Sequence, residues 1–379
     1  MVKEPNGFIF RDGQHIMTPS SVPDTTIAAR FDETYLTGVL ANIFNAPVSG
    51  VAYSPLPGDA SDRKYFRASY NKPPPESDGH SLIIMQLQEP VSGTEPDFNR
   101  MLGFLRSLDT PAPELFYYDQ ARGLLFIEDC GPDTLEDYLR RHPGETRECY
   151  LKAVRLLVDL QQKATQNIGP DCPAYHLRFD VEKLMWEMDF MLTHYVGGLS
   201  QSPLNSGKRE SVRKQLLSLC QTLAAEKLCF THRDFHSRNI MIAKGKLTLL
   251  DFQDARMGPC QYDLVSLLKD SYIVLEDRLR DELTETFIRL KEAAEGKPID
   301  RDSFLRIFDL MSIQRNLKAV GTFAFQSVEK KRDRYLQYIA PTLDYVRKTL
   351  NQRSEFGPLR DTLFESIPGL KPDNGENLT

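Results

Sequence analysis

The character of this chain changes at Gly131-Pro132. Ahead of that dipeptide the apolar residues fall in short strand-like runs; behind it they recur at helical spacing over long stretches. Residues 65–70 alternate between apolar and polar, residues 72–79 break the chain with three prolines and a glycine, and residues 81–87 read as a buried strand. Residues 115–119 and 124–128 flank a Gln-Ala-Arg-Gly turn, which is a hairpin pattern. Helices are predicted over 28–45 and 98–108, then over 134–141, 145–166, 181–195, 210–226 and most of 262–351. Strands first and helices afterwards predict an α+β, bilobal architecture: a small sheet-rich N-lobe and a large, mainly helical C-lobe. The expected divisions are an N-terminal arm at 1–27, the N-lobe at 28–128, the C-lobe at 129–355 and a C-terminal tail at 356–379.

Composition narrows the class. With 379 residues, 41% of them hydrophobic and 26% charged, the chain has material for a sizeable core. A net charge of -6 and the lack of a Lys/Arg block argue against a nucleic-acid partner or an anionic membrane surface. The six cysteines are scattered with no C-x-x-C pair, the pattern of reduced thiols in a cytoplasmic protein. No basic, apolar leader opens the chain and no run of about 18 apolar residues occurs, so neither a signal peptide nor a membrane span is expected. A monomer is the expected state.

The polar chemistry concentrates in one stretch, His232-Arg233-Asp234-Phe235-His236-Ser237-Arg238-Asn239, followed by Asp251-Phe252-Gln253. Between them, residues 240–242 and 247–250 are short apolar runs separated by Ala243-Lys244-Gly245-Lys246. That is a hairpin, and a hairpin returns the chain to its starting point, which brings Asn239 and Asp251 together. An amide oxygen beside a carboxylate suits Mg²⁺, a hard cation that takes few protein ligands and completes its shell with water and phosphate. Asp234, on the loop leading in, is placed to accept a hydroxyl proton or orient an attacking oxygen, the arrangement phosphoryl transfer uses. A competing reading makes His232, Asp234 and His236 ligands of a transition metal, since alternate strand residues share a face. No further His or Cys cluster supplies the remaining ligands.

The H-x-D-x-H-x-x-N pattern followed by D-F-x resembles the aminoglycoside phosphotransferase and choline kinase superfamily, which uses the protein-kinase-like fold on small molecules. Protein kinases carry Lys two places after the loop Asp, where this chain has His236, and D-F-G where it has Asp251-Phe252-Gln253. The stretch 250–272, together with 60–67 and 314–321, is similar to the bacterial anomeric sugar kinases that phosphorylate N-acetylmuramate and N-acetylglucosamine at C1. The resemblance implies an ATP- and Mg²⁺-dependent kinase of cell-wall recycling, with Asp234 as base and Asn239 and Asp251 as metal ligands. It also implies nucleotide contacts from the loop at Ser61 and from the Glu128-Asp129-Cys130 linker. His236 and Gln253, which depart from the protein-kinase pattern, and Arg315, whose predicted helix offers amide and guanidinium donors, are the candidate substrate contacts.

One departure stands out. Kinases place a Lys on the third strand for the α- and β-phosphates, whereas the expected third strand here, residues 82–87, has none. Arg63 or Arg67 on the neighbouring strand is the expected replacement. Two other readings stay open: a phosphotransferase for aminoglycoside- or choline-like amines, and a catalytically silent kinase-like module that binds a nucleotide or a partner.

Overall fold

The computed structural model describes residues 29–56, 63–71, 80–90 and 95–371. Contacts divide the chain into two compact units: the described residues up to Glu95 together with Glu114–Asp129, and Pro96–Pro113 together with the chain from Cys130 onward.

In the first unit, helix α1 (Glu33–Phe44) starts where the Asp32 carboxylate accepts the Tyr35 N–H at 2.8 Å, later than its apolar spacing predicts. Strands β1 (Ser49–Pro55), β2 (Lys64–Asn71), β3 (His80–Gln86), β4 (Leu115–Asp119) and β5 (Leu124–Glu128) form one antiparallel sheet in the order β1-β2-β3-β5-β4. β2 and β3 are the predicted runs and β4–β5 the predicted hairpin. β1 is almost entirely exposed, so it carries no apolar alternation to give it away. One face of the sheet buries Phe66, Ala68, Leu82, Ile84, Leu124 and Phe126 against Leu36 and Leu40 of α1. Burial of each large apolar side chain contributes roughly 1.5–3 kcal/mol.

Helix α2 (Asp97–Ser107) lies between β3 and β4 in sequence but packs with the second unit, so 96–113 departs from the expected N-lobe. The cause is local: Phe98 stacks on Phe252 with ring centroids 5.1 Å apart, and the Leu249 N–H donates to the Pro111 carbonyl at 2.8 Å. The rest of this unit is a helical frame: α3 (Leu135–Arg141), α4 (Thr146–Asn167), α5 (Val181–Met191), α6 (Ser206–Ala224), α7 (Gln261–Leu268), α8 (Asp277–Glu295), α9 (Arg301–Val328), α10 (Ile339–Gln352) and α11 (Gly357–Ser366). Two small antiparallel pairs interrupt it, β6 (Leu228–Thr231) with β9 (Arg256–Pro259), and β7 (Ile240–Ala243) with β8 (Lys246–Leu249). The segment expected as a tail from residue 356 contains α11, which buries Leu359 and Leu363 and packs on α6.

The long central helix α9 packs on α5, α7 and α10 and is buried along most of its length. Its crossing with α5 is close at Gly321, where a Cβ would lie 2.7 Å from the Met191 Cα. Immediately after Met191, α5 passes into a π-helical segment, Leu192–Leu199, where a uniform helix was predicted. No helix among the described residues is long and apolar enough to cross a membrane. None of the cysteines is in a disulfide.

Candidate active site

β6 delivers the chain to His232, and the backbone then turns through a left-handed conformation at Arg233, φ 79°. A non-glycine residue is held there only if its surroundings compensate. The compensation comes from Asp263 in the first turn of α7, whose carboxylate accepts the His232 N–H at 2.7 Å and the Arg233 N–H at 2.9 Å. Burial pushes the Asp263 carboxyl up to about 7, against the pull of those two amides. Arg233 is itself buried and pairs with Asp254 at 3.1 Å and Glu187 at 3.8 Å. A second buried carboxylate, Asp270, holds the far end of the loop: its Oδ2 accepts both the Ser237 N–H at 3.0 Å and the Ser237 hydroxyl at 2.5 Å. Asp263 and Asp270 therefore grip the loop from either end of α7. Spacing alone suggests for Asp263 only a helix N-terminus, where an acid is favourable.

Between these grips lies Asp234. Its Oδ1 is 3.3 Å from the Lys318 Nζ, which comes from α9. Burial acts to raise the Asp234 pKa, but the charges of Lys318, Arg233 and Arg315 outweigh it and hold the carboxyl well below the usual range. Asp234 is therefore ionised throughout the physiological range. Its backbone carbonyl accepts the His236 N–H at 3.0 Å and the Asn239 Nδ2 at 3.0 Å.

The predicted hairpin is present as β7–β8, with Ile240 opposite Leu249 and the Leu250 N–H donating to the Asn239 carbonyl at 2.8 Å. It brings the Asn239 Nδ2 to 3.5 Å from the Asp251 Oδ2. Asp251 adopts a left-handed backbone, φ 61°, and its Oδ1 accepts from the Gln253 Nε2 at 2.5 Å. With the Asn239 amide nitrogen donating to the Asp234 carbonyl, its oxygen is the end left to accept a cation. An amide oxygen and a carboxylate held side by side fit a hard divalent ion that takes few protein ligands. Among the described residues, no group of three or more His, Cys, Asp or Glu could hold a metal, so the transition-metal reading of His232, Asp234 and His236 has no support.

His236 packs its ring edge-on to Tyr272, with centroids 5.3 Å apart, and its Nε2 is 3.4 Å from the Asn239 Nδ2. Burial lowers its pKa to about 3, so the ring is neutral at physiological pH. Arg315, on α9, is buried, and its Nη1 donates to the Asn316 Oδ1 at 3.4 Å. Its neighbour Gln314 donates to Glu187 at 2.9 Å. The second unit thus gathers Asp234, His236, Asn239, Asp251 and Gln253, and adds Lys318, which sequence reasoning did not single out. The available signal was helical: positions 314, 315 and 318 share one face of α9.

The residues expected to contact nucleotide are placed differently. Ser61 lies outside the described residues. Arg63 is half-buried just ahead of β2, and Arg67 makes two hydrogen bonds, 2.7 and 3.1 Å, to Asp129, which also accepts the Ser81 hydroxyl at 2.8 Å. Glu128 ends β5, its Oε2 accepting the Glu114 N–H at 3.1 Å. Cys130 belongs to the second unit and is half-buried. β3 carries no Lys; the Oε1 of its buried Gln86 accepts the Arg30 N–H at 3.0 Å.

Comparison with known proteins gives the arrangement its context. Residues 52–302 match the phosphotransferase enzyme family. The chain is 30% identical over 322 residues to the N-acetylmuramate/N-acetylglucosamine kinase of Neisseria meningitidis serogroup B, covering 84% of this chain and 91% of that one. It is 29% identical over 320 residues to the protein of the same name from Pseudomonas aeruginosa, covering 83% and 88%. The structure of amicoumacin kinase hAmiN with AMP-PNP, Ca²⁺ and Ami superposes with a TM-score of 0.54 at 15% identity, covering 84% of this chain and 95% of that one. The family match takes in the Asp234 loop, the β7–β8 hairpin and α7: this chain belongs to the phosphotransferase enzyme family and is a kinase.

Proposed function

We propose that the protein transfers the terminal phosphoryl group of ATP, with Mg²⁺, to the anomeric hydroxyl of an amino sugar of the N-acetylmuramate or N-acetylglucosamine type. The observation that carries the chemistry is the grouping of Asp234, Asn239 and Asp251 by one loop and one hairpin. The names of the bacterial relatives support the acceptor, and the nucleotide analogue and divalent cation in the hAmiN complex support the donor and the metal.

Asp234 orients the acceptor hydroxyl through its ionised carboxylate. As the hydroxyl oxygen bonds to the γ-phosphorus, the bond to the β-phosphate oxygen breaks, ADP leaves, and the hydroxyl proton passes to Asp234. A carboxylate held this acidic takes the proton late, so its main contribution is alignment. Asn239 and Asp251 would hold Mg²⁺, which supplies charge neutralisation on the phosphates. Gln253 keeps Asp251 turned toward Asn239, and His236 packs behind the same amide. Arg315 and His236 are proposed acceptor contacts, and Arg63 and Arg67 proposed phosphate contacts.

A coupled ADP-release screen over free sugars, with ³¹P NMR of the product, tests the reading. Phosphate on C1 with loss of reducing-end reactivity supports it. Turnover only with cationic amines would overturn the acceptor assignment.

A further inference from the structure

The protein-kinase pattern has a loop lysine two places after its Asp; here that place holds His236, a neutral ring packed between Asn239 and Tyr272. A cation nevertheless reaches the same carboxylate from far along the chain. Lys318 stands on α9, beyond the residues that match the family, and places its Nζ 3.3 Å from the Asp234 Oδ1. Both side chains are largely shielded, 17% and 23% exposed, so the pair is sheltered from solvent without being sealed from it. We propose that Lys318 is a catalytic residue of the phosphotransfer reaction: its ammonium bridges the Asp234 carboxylate and the transferring phosphoryl group. This rests on the phosphotransferase reading of Asp234.

The physical need is plain. An acceptor hydroxyl bonded to Asp234 brings an anionic phosphoryl group toward an anionic carboxylate, and like charges at that range repel strongly in a partly dry site. An ammonium has three N–H donors. One goes to Asp234, and the others lie within reach of an oxygen approaching the same carboxylate. The bond-making step is unchanged, since Lys318 neither gains nor loses a proton. It offsets charge that is present only when carboxylate and phosphoryl come together, which makes its effect specific to the transition state.

The helix is fixed well enough for such a task. One turn down α9, Gln314 donates to Glu187 of α5 at 2.9 Å, and Glu187 in turn lies 3.8 Å from Arg233 of the loop. One turn up, Gly321 allows contact with Met191 closer than any side chain would permit. Lys318 lies between these two attachments, so its separation from Asp234 is set by backbone packing rather than by a flexible stem alone.

The test compares wild type with Lys318→Met and Lys318→Arg, using whichever alcohol the wild type phosphorylates and measuring kcat, both KM values and Tm. The expected result is a kcat at least 100-fold lower in Lys318→Met with both KM values within threefold. Lys318→Arg is expected to recover at least tenfold of that loss, since it restores the charge. A Lys318→Ala enzyme should gain rate on adding ethylammonium. A kcat within threefold of wild type in Lys318→Met would overturn the inference. So would a loss that neither arginine nor ethylammonium relieves, because it would mark Lys318 as a packing element. Inactivity toward amino sugars alone would refute the acceptor assignment and leave this comparison intact.

Discussion

Replacing Gly321 with alanine tests whether the α5–α9 crossing sets the geometry around Asp234. The added methyl would lie 2.7 Å from the Met191 Cα, 2.9 Å from its Cβ and 3.1 Å from its N. Carbon atoms in ordinary contact are about 3.5–4.0 Å apart, so the two helices must separate by roughly 1 Å. Overpacking of this kind costs about 1–3 kcal/mol. Alanine in a helix interior returns about 1 kcal/mol over glycine. The net loss is about 0–2 kcal/mol, which for a chain of 379 residues lowers Tm by at most about 3 °C. The effect on rate should be larger than the effect on stability. Lys318 is less than one turn from Gly321, so a shift of α9 of this size changes the 3.3 Å separation of its Nζ from the Asp234 Oδ1. A misplacement of about 1 Å in an aligned site costs up to about 100-fold in rate. Differential scanning calorimetry and kcat at saturating substrates measure the two effects. Met191→Ala in the same background should not restore activity, because the crowded atoms are backbone and Cβ. A Gly321→Ala enzyme that is more stable than wild type and equally fast would refute the argument.

Asp234→Asn should lower kcat by at least about 10³-fold while leaving the KM for ATP within threefold, as measured by ADP release. Asp251→Asn is the cleanest probe of the metal, since asparagine tolerates the left-handed backbone at φ 61°; the Mg²⁺ concentration for half-maximal rate should rise at least tenfold, and an unchanged Mg²⁺ titration would sink the assignment. His232 carries a pH prediction. Burial lowers its pKa from 6.5 to about 4, so the unfolded chain takes up a proton before the folded one does. Stability from its neutral form is therefore present above about pH 6.5 and lost as pH falls toward 4, by about 3 kcal/mol in all. His232→Met should reduce the fall in unfolding free energy, measured by urea titration, between pH 7.5 and pH 5 by about 2 kcal/mol, whereas an unchanged fall would show that this histidine is not held neutral.

What could be read from the sequence was local. The β7–β8 hairpin was legible because two apolar runs and a glycine-containing turn lie within a dozen residues, and so was the pairing of Asn239 with Asp251. The β4–β5 hairpin was legible for the same reason. Lys318 was hidden because its partner lies 84 residues away and nothing in a helix pattern says which exposed-looking cation turns inward. Asp263 fitted an ordinary helix start, and only the folded chain reveals that its oxygens serve His232 and Arg233. The β6–β9 pair was missed because two four-residue strands are too short to display a period. α6 begins at Ser206 rather than 210, since Asn205 caps it by accepting the Lys208 N–H at 2.9 Å while Gly207 in the first turn masks the helical signal.

The two carboxylates at the ends of α7 hold the Asp234 loop chiefly by its peptide groups. Every amino acid except proline supplies a peptide N–H, so this grip is indifferent to most side chains it clasps. Side chains such as those of His236 and Arg238 can therefore change while the path of the chain through Asp234 stays put. The cost of that freedom falls on Asp263 in α7 and on Asp270 just beyond it: a substitution at either would disturb the loop whatever side chains it carries.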